Sequence, residues 1–270
     1  MFITVITDCT SQNDIGRQET RLISLFDSPV SFVGVNSSLD LDATLETAGN
    51  LIDILDAAEE REGVVIVNVA PRGDKSDGKN GTSFCYFKYK NILVLSTIKG
   101  YTLSLIKKLK LVDSINLLDI EKVTDTTISN KLIDKVTGQR IIKSQFRSFD
   151  FAPRVAKWLK DGISLPSTPD LLSTISAVPN FIWFIDSFGN AKTTILTQDL
   201  RLKAKGKIKT TVGIFRYYDR LKDIPYGETA IYTGSSGLGN KRFLEIATQG
   251  REGSAAKTLT LKIGEEIKFL

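Results

Sequence analysis

The stretch Phe2-Ile3-Thr4-Val5-Ile6, which ends at Thr7-Asp8, is a run of apolar and β-branched residues that predicts a first β-strand. Residues 13–26 follow it with the spacing of a helix, and Val30 to Val35 has the pattern of a second strand. A strand, a helix and a strand in this order are typical of an α/β unit with parallel strands. We therefore expect the chain to begin with an α/β domain whose sheet is mostly parallel.

The same alternation continues through the first half of the chain. An apolar stripe with carboxylates opposite it predicts a helix over residues 40–60, and Val64 to Val69 predicts a strand buried on both faces. The polar segment from Arg72 to Gly81 predicts a surface loop. A hairpin or strand pair over residues 84–89 and 91–96, and helices over residues 101–111 and 151–160, are predicted next.

The pattern changes after Gly162. The segment from Gly162 to Asn180 contains Pro166, Pro169 and Pro179, as an interdomain linker does. Short β-rich segments without intervening helices follow it, which favours a small antiparallel barrel or sandwich. We expect an α/β domain over residues 1–162, a linker over residues 163–180 and a smaller all-β, barrel-like domain over residues 181–270.

Charge and hydropathy say little about partners. The net charge of +5 is mild and the basic residues are spread along the chain, so a nucleic-acid-binding module would rest on charge alone. No segment is long enough to span a membrane, and the N-terminus lacks the features of a signal peptide. We expect a cytoplasmic protein with no nucleic-acid or membrane partner.

The chain contains no histidine, which excludes an imidazole base and histidine metal ligands. Its two cysteines, Cys9 and Cys85, are far apart and form no CxxC motif, so neither a disulfide framework nor a zinc site is indicated. We expect reduced thiols and no metal site.

A ligand of an α/β domain is expected beyond the carboxyl ends of the parallel strands. Asp8 follows the first strand, and Val69-Ala70-Pro71 closes the third. Without further information, Asp8 could equally cap the following helix or turn.

The C-terminal third carries a series of motifs in a fixed order. They are Ile185-Asp186-Ser187-Phe188-Gly189-Asn190, Thr193-Thr194-Ile195, Ala230 to Gly237, Phe243-Leu244-Glu245-Ile246-Ala247, Ser254-Ala255-Ala256 and Ile263-Gly264-Glu265-Glu266. The series resembles the family of S-adenosylmethionine (SAM) hydroxide adenosyltransferases and SAM-dependent fluorinases and chlorinases. Ile6-Thr7-Asp8 with Asn13-Asp14, and Phe146 to Leu159 around Phe151-Ala152-Pro153, are similar to N-terminal motifs of the same family.

The resemblance implies how SAM would be bound. Asp8 would accept hydrogen bonds from both ribose hydroxyls, and Asp14, from the same N-terminal motif, would be a further ligand-binding residue. Asp186 would hold the ammonium group of the methionine end with help from Ser235. Asn190 would bind the adenine edge, because an amide both donates and accepts hydrogen bonds.

The remaining ligand-binding candidates have structural alternatives. Phe188 belongs to the Asp186 motif, which on its own would be interpreted as a turn around a glycine. Tyr218 aligns with an aromatic that packs against adenine, but a place in the core of the β domain is equally compatible. Ser236 falls where the fluorinases have an arginine, and Thr248 matches a backbone contact near adenine.

The residues around the reactive centre depart from the family. Its hydroxide-transferring branch uses Asp, Arg and His to prepare water, and the positions here are Ala70 for the Asp, the loop around Asp77 for the Arg, and Arg147 for the His. A guanidinium stays charged and cannot accept a proton, but it can hold an anion. We therefore name Arg147 and the nearby Arg72 as candidates beside the nucleophile.

By resemblance, the chain binds SAM and catalyses nucleophilic substitution at the ribose 5′ carbon, releasing methionine and, with water, adenosine. The resemblance also implies a homotrimer with sites between subunits and no cofactor beyond SAM itself. The alternative is an altered relative that binds SAM or adenosine without turnover.

Overall fold

The structure, a computed structural model, describes residues 1–36, 43–71, 82–144, 146–199, 206–250 and 254–270. They form two compact units: residues 1–50 with 58–176, and residues 177–270 with 51–57. The predicted surface loop from Arg72 to Gly81 lies outside the described residues. Within the described ranges, no helix is long and apolar enough to cross a membrane.

The first unit contains a seven-stranded sheet. Its strands in chain order are β1 (Phe2–Thr7), β2 (Val30–Gly34), β3 (Gly63–Asn68), β4 (Phe84–Tyr89), β5 (Ile92–Thr97), β6 (Ser114–Leu118) and β7 (Ser167–Leu171). In space they follow the order β2-β1-β3-β5-β4-β6-β7. β3 and β5 lie inside the sheet and are buried almost throughout, which explains their continuous apolar sequences.

The sheet is mixed, so the expectation of a mostly parallel sheet is wrong. β1 pairs in parallel with β2 and β3, and β3 with β5, whereas β5 with β4, β4 with β6 and β6 with β7 are antiparallel. A two-residue turn at Lys90-Asn91 joins β4 to β5, and so short a connection can only reverse the chain. The strand β7 also occupies part of the segment predicted to be a linker.

The helices before residue 161 are α1 (Gln12–Phe26), α2 (Ala43–Ala57), α3 (Ser104–Leu109), α4 (Ile120–Ser129), α5 (Lys135–Lys143), α6 (Arg147–Asp150) and α7 (Ala152–Lys160). The sequence pattern predicts α1, α2, α3 and α7 but not the others. α4 and α5 are amphipathic but short, with three apolar residues each, so the apolar pattern alone does not fix their ends. Their starts are fixed instead by side-chain caps, since Asp119 and Asp134 accept hydrogen bonds from the first backbone N–H groups.

The second unit contains a six-stranded sheet in the order β10-β11-β12-β13-β9-β8. Its elements are β8 (Ile182–Ile185), β9 (Ala191–Leu196), β10 (Lys207–Thr210), β11 (Gly213–Tyr218), β12 (Thr229–Leu238), β13 (Lys241–Thr248) and α8 (Ala255–Leu259). All neighbouring strands are antiparallel except β11 and β12.

The predicted barrel does not close in the described part of this unit. β8 and β10 are the two edges of the sheet, and the C-terminal segment, predicted as a strand over residues 266–270, contacts each edge through one isolated bridge and a few backbone hydrogen bonds. Phe181 pairs with Glu266 and Thr210 with Phe269. Neither contact extends into a ladder, so the described strands form an open sheet.

We predict that Phe151→Ala lowers the free energy of unfolding by about 3–5 kcal/mol, because it removes a fully buried ring from a packed core. Phe151 is 1% exposed and lies edge-on to Phe84 with ring centroids 5.6 Å apart. The control is Phe146→Ala, at a ring that is 63% exposed. Urea denaturation of both variants measures the difference, and equal losses would contradict the assigned core.

Candidate functional site

The carboxyl ends of β1, β2 and β3 lie side by side in the first unit. Thr7, the last residue of β1, pairs with Gly34 on one side and with Asn68 on the other. Asp8 directly follows Thr7, so it stands at the edge of the sheet where an α/β domain binds its ligands.

The N-cap of α1 is Ser11, so the cap that the sequence allowed for Asp8 is provided by another residue. The Ser11 hydroxyl accepts a hydrogen bond from the Asp14 backbone N–H at 3.2 Å and donates to the Asp14 carboxylate at 2.7 Å. Asp14 thus takes part in the helix cap, while the Asp8 carboxylate accepts from the Cys9 thiol at 3.7 Å.

The end of β3 is held by a hydroxyl of β5. Thr97 Oγ1 donates to the Val69 carbonyl at 2.6 Å and accepts from the Val69 N–H at 3.4 Å. Ala70 follows this anchor, half-buried and without a functional group. Arg72 and Asp77 lie outside the described residues, and their roles stay predictions.

Arg147 begins α6 and points a guanidinium at the segment preceding β4. Its Nη1 donates to the Thr82 carbonyl at 3.4 Å. Within the described part of the chain, the buried Nε of Arg147 and the buried Oγ1 of Thr82 have no hydrogen-bond partner. Burial lowers the pKa of Arg147, and an anion beside the guanidinium would stabilise its charged form.

In the second unit, Asp186 organises the turn between β8 and β9. Its Oδ1 accepts from the N–H groups of Phe188 and Asn190, both at 2.9 Å, and its Oδ2 accepts from the Asn190 side-chain amide at 3.0 Å. The Asp186 N–H donates to the Asn190 carbonyl at 3.0 Å, which closes the turn. The structure therefore brings together Asp186, Phe188 and Asn190.

Gly189 presses this turn against the start of α8. It adopts φ +77°, and a Cβ there would lie 2.1 Å from the Ser254 Cβ. The Gly189 carbonyl accepts from the Ala256 N–H at 3.0 Å. Phe188, at the tip, is 81% exposed, so a large aromatic ring is presented to solvent by a rigid turn. A carboxylate, an amide and an open ring face suit an amine and a flat heterocycle.

A buried acid in the same unit was missed by sequence reasoning. Glu245 is 2% exposed in β13 and accepts hydrogen bonds from the Tyr232 hydroxyl and, at 3.2 Å, from the Ser235 N–H. Burial, followed by the charges of Glu245 and Asp186, raises the pKa of Tyr232. The available signal was a lone carboxylate inside the apolar run Phe243 to Ala247.

Ser236 is buried, and its hydroxyl makes two hydrogen bonds within the protein. Its hydroxyl donates to Asp53 at 2.8 Å and accepts from the Lys192 ammonium at 2.8 Å, all within the second unit. Lys192 also lies 3.8 Å from the Asp53 carboxylate. Burial is the largest influence on Asp53 and raises its pKa, although its hydrogen bonds and Lys192 oppose the shift.

Tyr218 and Thr248 have structural partners. Tyr218 is buried in a cluster with Tyr232 and donates from its hydroxyl to the Glu228 carboxylate at 3.2 Å, and Thr248 Oγ1 lies 2.7 Å from Thr229 Oγ1. Over the described ranges, no group of three or more Cys, Asp or Glu residues is arranged to hold a metal ion.

Comparisons with known proteins point to one family for the second unit. Residues 181–268 match the model of the "SAM hydroxide adenosyltransferase C-terminal domain" family. No curated protein is similar enough to this chain to count as a match.

Two solved structures share the fold across both units. One is an uncharacterized conserved protein from Thermotoga maritima, with 18% identity, a TM-score of 0.67 and coverage of 99% of this chain and 100% of the other. The second is a conserved hypothetical protein from Thermus thermophilus, with 18% identity, a TM-score of 0.61 and coverage of 100% of this chain and 99% of the other. At this identity they establish the fold alone.

We predict that Gly189→Ala destabilises the protein more than Gly227→Ala does. Both glycines have positive φ, +77° and +80°, so both variants lose about 1–2 kcal/mol from the left-handed backbone. A Cβ meets nothing within 4 Å at Gly227 but collides with Ser254 at Gly189. We expect about 1–3 kcal/mol more for Gly189→Ala, measured by thermal and urea unfolding. Equal losses would show that the turn does not pack on Ser254.

Proposed function

We propose that this protein binds SAM and catalyses nucleophilic substitution at its ribose 5′ carbon. The observation that carries the proposal is that the matched region, residues 181–268, contains the Asp186 turn with its exposed Phe188 ring. The proposal assigns the methionine ammonium to Asp186 with Ser235, and the adenine to Phe188 and Asn190. It assigns the ribose hydroxyls to Asp8, at the sheet edge of the first unit.

The buried network of the second unit supports these roles. Glu245 fixes the Ser235 backbone and Tyr232, so the strand that carries Ser235 is held by hydrogen bonds to a buried carboxylate. Because groups that are already ordered lose little entropy when a ligand binds, such a site binds more tightly than a mobile one. Tyr218, Ser236, Thr248 and Asp14 have internal partners and are given no direct contact in this proposal.

The substitution needs little acid–base catalysis. An oxygen of water, or another nucleophile, forms a bond to the 5′ carbon while the carbon–sulfur bond breaks and its electron pair returns to sulfur. Methionine leaves neutral at sulfur, water loses one proton to solvent, and adenosine is the product. Since a sulfonium is a good leaving group, positioning and desolvation of the nucleophile can provide most of the catalysis.

Arg147 and Thr82 are the proposed groups beside the nucleophile. The Nε of Arg147 and the Oγ1 of Thr82 are buried polar atoms that lack partners within the described residues. This is expected of two donors whose acceptor is a bound anion or water. A chain without histidine must deprotonate water by another route, and this favours either an anionic nucleophile or slow hydrolysis. We also propose the homotrimer of the family as the assembly.

We predict that Phe188→Ala weakens SAM binding by about 5- to 150-fold, because stacking a base on an aromatic ring contributes about 1–3 kcal/mol. Tyr226→Ala is the matched control, since Tyr226 is 75% exposed in the same unit. Calorimetric titration with SAM and with adenosine measures both. If the two variants bind SAM as the wild type does, the adenine is not bound at this turn.

We predict that the wild type converts SAM to methionine and adenosine, and that Arg147→Met and Thr82→Val each slow turnover at least about tenfold by removing a buried donor. Arg61→Gln, at an exposed position of the first unit, is the control. Reaction in ¹⁸O-water, followed by chromatography and mass spectrometry, should place one label on the 5′ oxygen. With chloride as nucleophile, the chlorinated nucleoside replaces adenosine.

SAM binding without any nucleoside product would overturn the substitution and leave a SAM-binding protein. Failure to bind either SAM or adenosine would overturn the whole proposal.

A further inference from the structure

A groove whose lining includes neither Arg147 nor any residue of the second unit lies along α1. Its volume is about 820 Å³, which is the size of a small-molecule site. One face of α1, with residues spaced three or four apart, lines one side, and the end of α6 with the start of α7 lines the other. The lining residues are Gln12, Asn13, Gly16, Arg17, Thr20, Arg21, Ser24, Leu25, Phe149, Asp150 and Arg154.

The groove carries excess positive charge. Three of its lining residues are arginines and one, Asp150, is an acid. A fourth arginine, Arg140, lies 3.4 Å from the same carboxylate. The Asp150 carboxylate thus pairs with Arg140 and Arg154, while Arg17 and Arg21 line the same groove.

Two of these arginines have defined contacts, Arg154 with a largely buried side chain and Arg17 at an exposed position. Arg154 has a side chain only 14% exposed and donates to the Asp150 carbonyl at 2.8 Å, with the Asp150 carboxylate at 3.5 Å. Arg17 lies over the Phe149 ring at 4.1 Å from its centroid. Burial, together with the charges of Arg21 and Arg140, lowers the pKa of Arg154, although Asp150 opposes the shift. A bound anion would stabilise the charged form of Arg154.

Gly16 is an independent indication of an occupant. It lies in the middle of α1, where glycine is less stable than alanine, and a Cβ there would meet no atom within 4 Å. No neighbour in the described chain requires a glycine at this position. Its missing side chain keeps the floor of the groove open between Asn13 and Arg17.

We propose that this groove binds a small molecule that carries phosphate groups, with Arg17, Arg21 and Arg154 as the phosphate-binding residues. Guanidinium groups bind phosphate oxygens in pairs, and several of them around a concave surface suit two linked phosphates better than one carboxylate. The amides of Gln12 and Asn13 and the hydroxyls of Thr20 and Ser24 provide donors and acceptors for the rest of such a molecule.

The test is a calorimetric titration of the full-length protein with inorganic diphosphate at low salt. We expect saturable binding, weakened at least about tenfold by Arg21→Gln, because a charge-assisted hydrogen bond is lost. Lys135→Gln, at an exposed lysine that begins α5, is the matched control and should bind as the wild type does.

Two variants of Gly16 distinguish loss of the binding site from loss of folding. Gly16→Ala should raise the melting temperature by about 2 °C, because alanine favours the helix. Gly16→Leu should keep a native melting temperature but lose diphosphate binding, since its side chain fills the groove. SAM titrations of the same variants should be unchanged, so this inference and the proposed function fail separately.

Absence of saturable diphosphate binding, or equal binding by the wild type, Arg21→Gln and Gly16→Leu, would overturn the proposal. A single-stranded oligonucleotide that binds more tightly than diphosphate and loses its binding in both variants would assign the groove to nucleic acid and overturn it as well.

Discussion

The Asp186 carboxylate is the contact on which the candidate site of the second unit depends. It gathers two backbone N–H groups and one side-chain amide into a turn of five residues. The charged acceptor satisfies the two backbone N–H groups at 2.9 Å each, and charge-assisted hydrogen bonds are stronger than neutral ones. The exposed position of Phe188 follows, because the turn is complete without its side chain.

The first unit supplies a different kind of constraint. Parallel pairing of β1 with β2 and β3 brings the ends of three strands to one edge, and this follows from hydrogen bonding alone. Asp8 is carried to that edge by the register of β1. Arg147 and Thr82 are instead placed by the helical turn of α6 and by the entry to β4, where two buried polar atoms stay unpaired within the described residues. A charged group in such surroundings is expensive for stability, and a role in binding an anion would explain why it is there.

Sequence patterns captured local structure better than pairing. The hairpin of β4 and β5 was predicted, but its effect on the sheet was not, because antiparallel pairing of β4 with β6 joins segments that are distant in the chain, such as Tyr86 and Asn116. β7 contains Pro169 and is an edge strand, where proline is tolerated, so its composition resembles that of a linker. For the site, the motif around Asp186 identified residues that do meet in space, whereas Glu245 and the Asp53–Ser236–Lys192 contacts depend on tertiary packing that no local pattern contains.

The hydrogen bonds of the turn also limit what its residues could do for a ligand. A carboxylate offers about four acceptor positions, and the turn uses three of those on Asp186, so one remains for an incoming donor. An ammonium can fill it and adds a charge interaction that a neutral amide cannot match. Asn190 donates one of its two side-chain amide N–H groups to Asp186, which leaves one donor and the carbonyl oxygen for a ligand. One donor and one acceptor side by side are what the amino edge of adenine requires, so the contact that builds the turn also orients the amide for the base proposed to lie against Phe188.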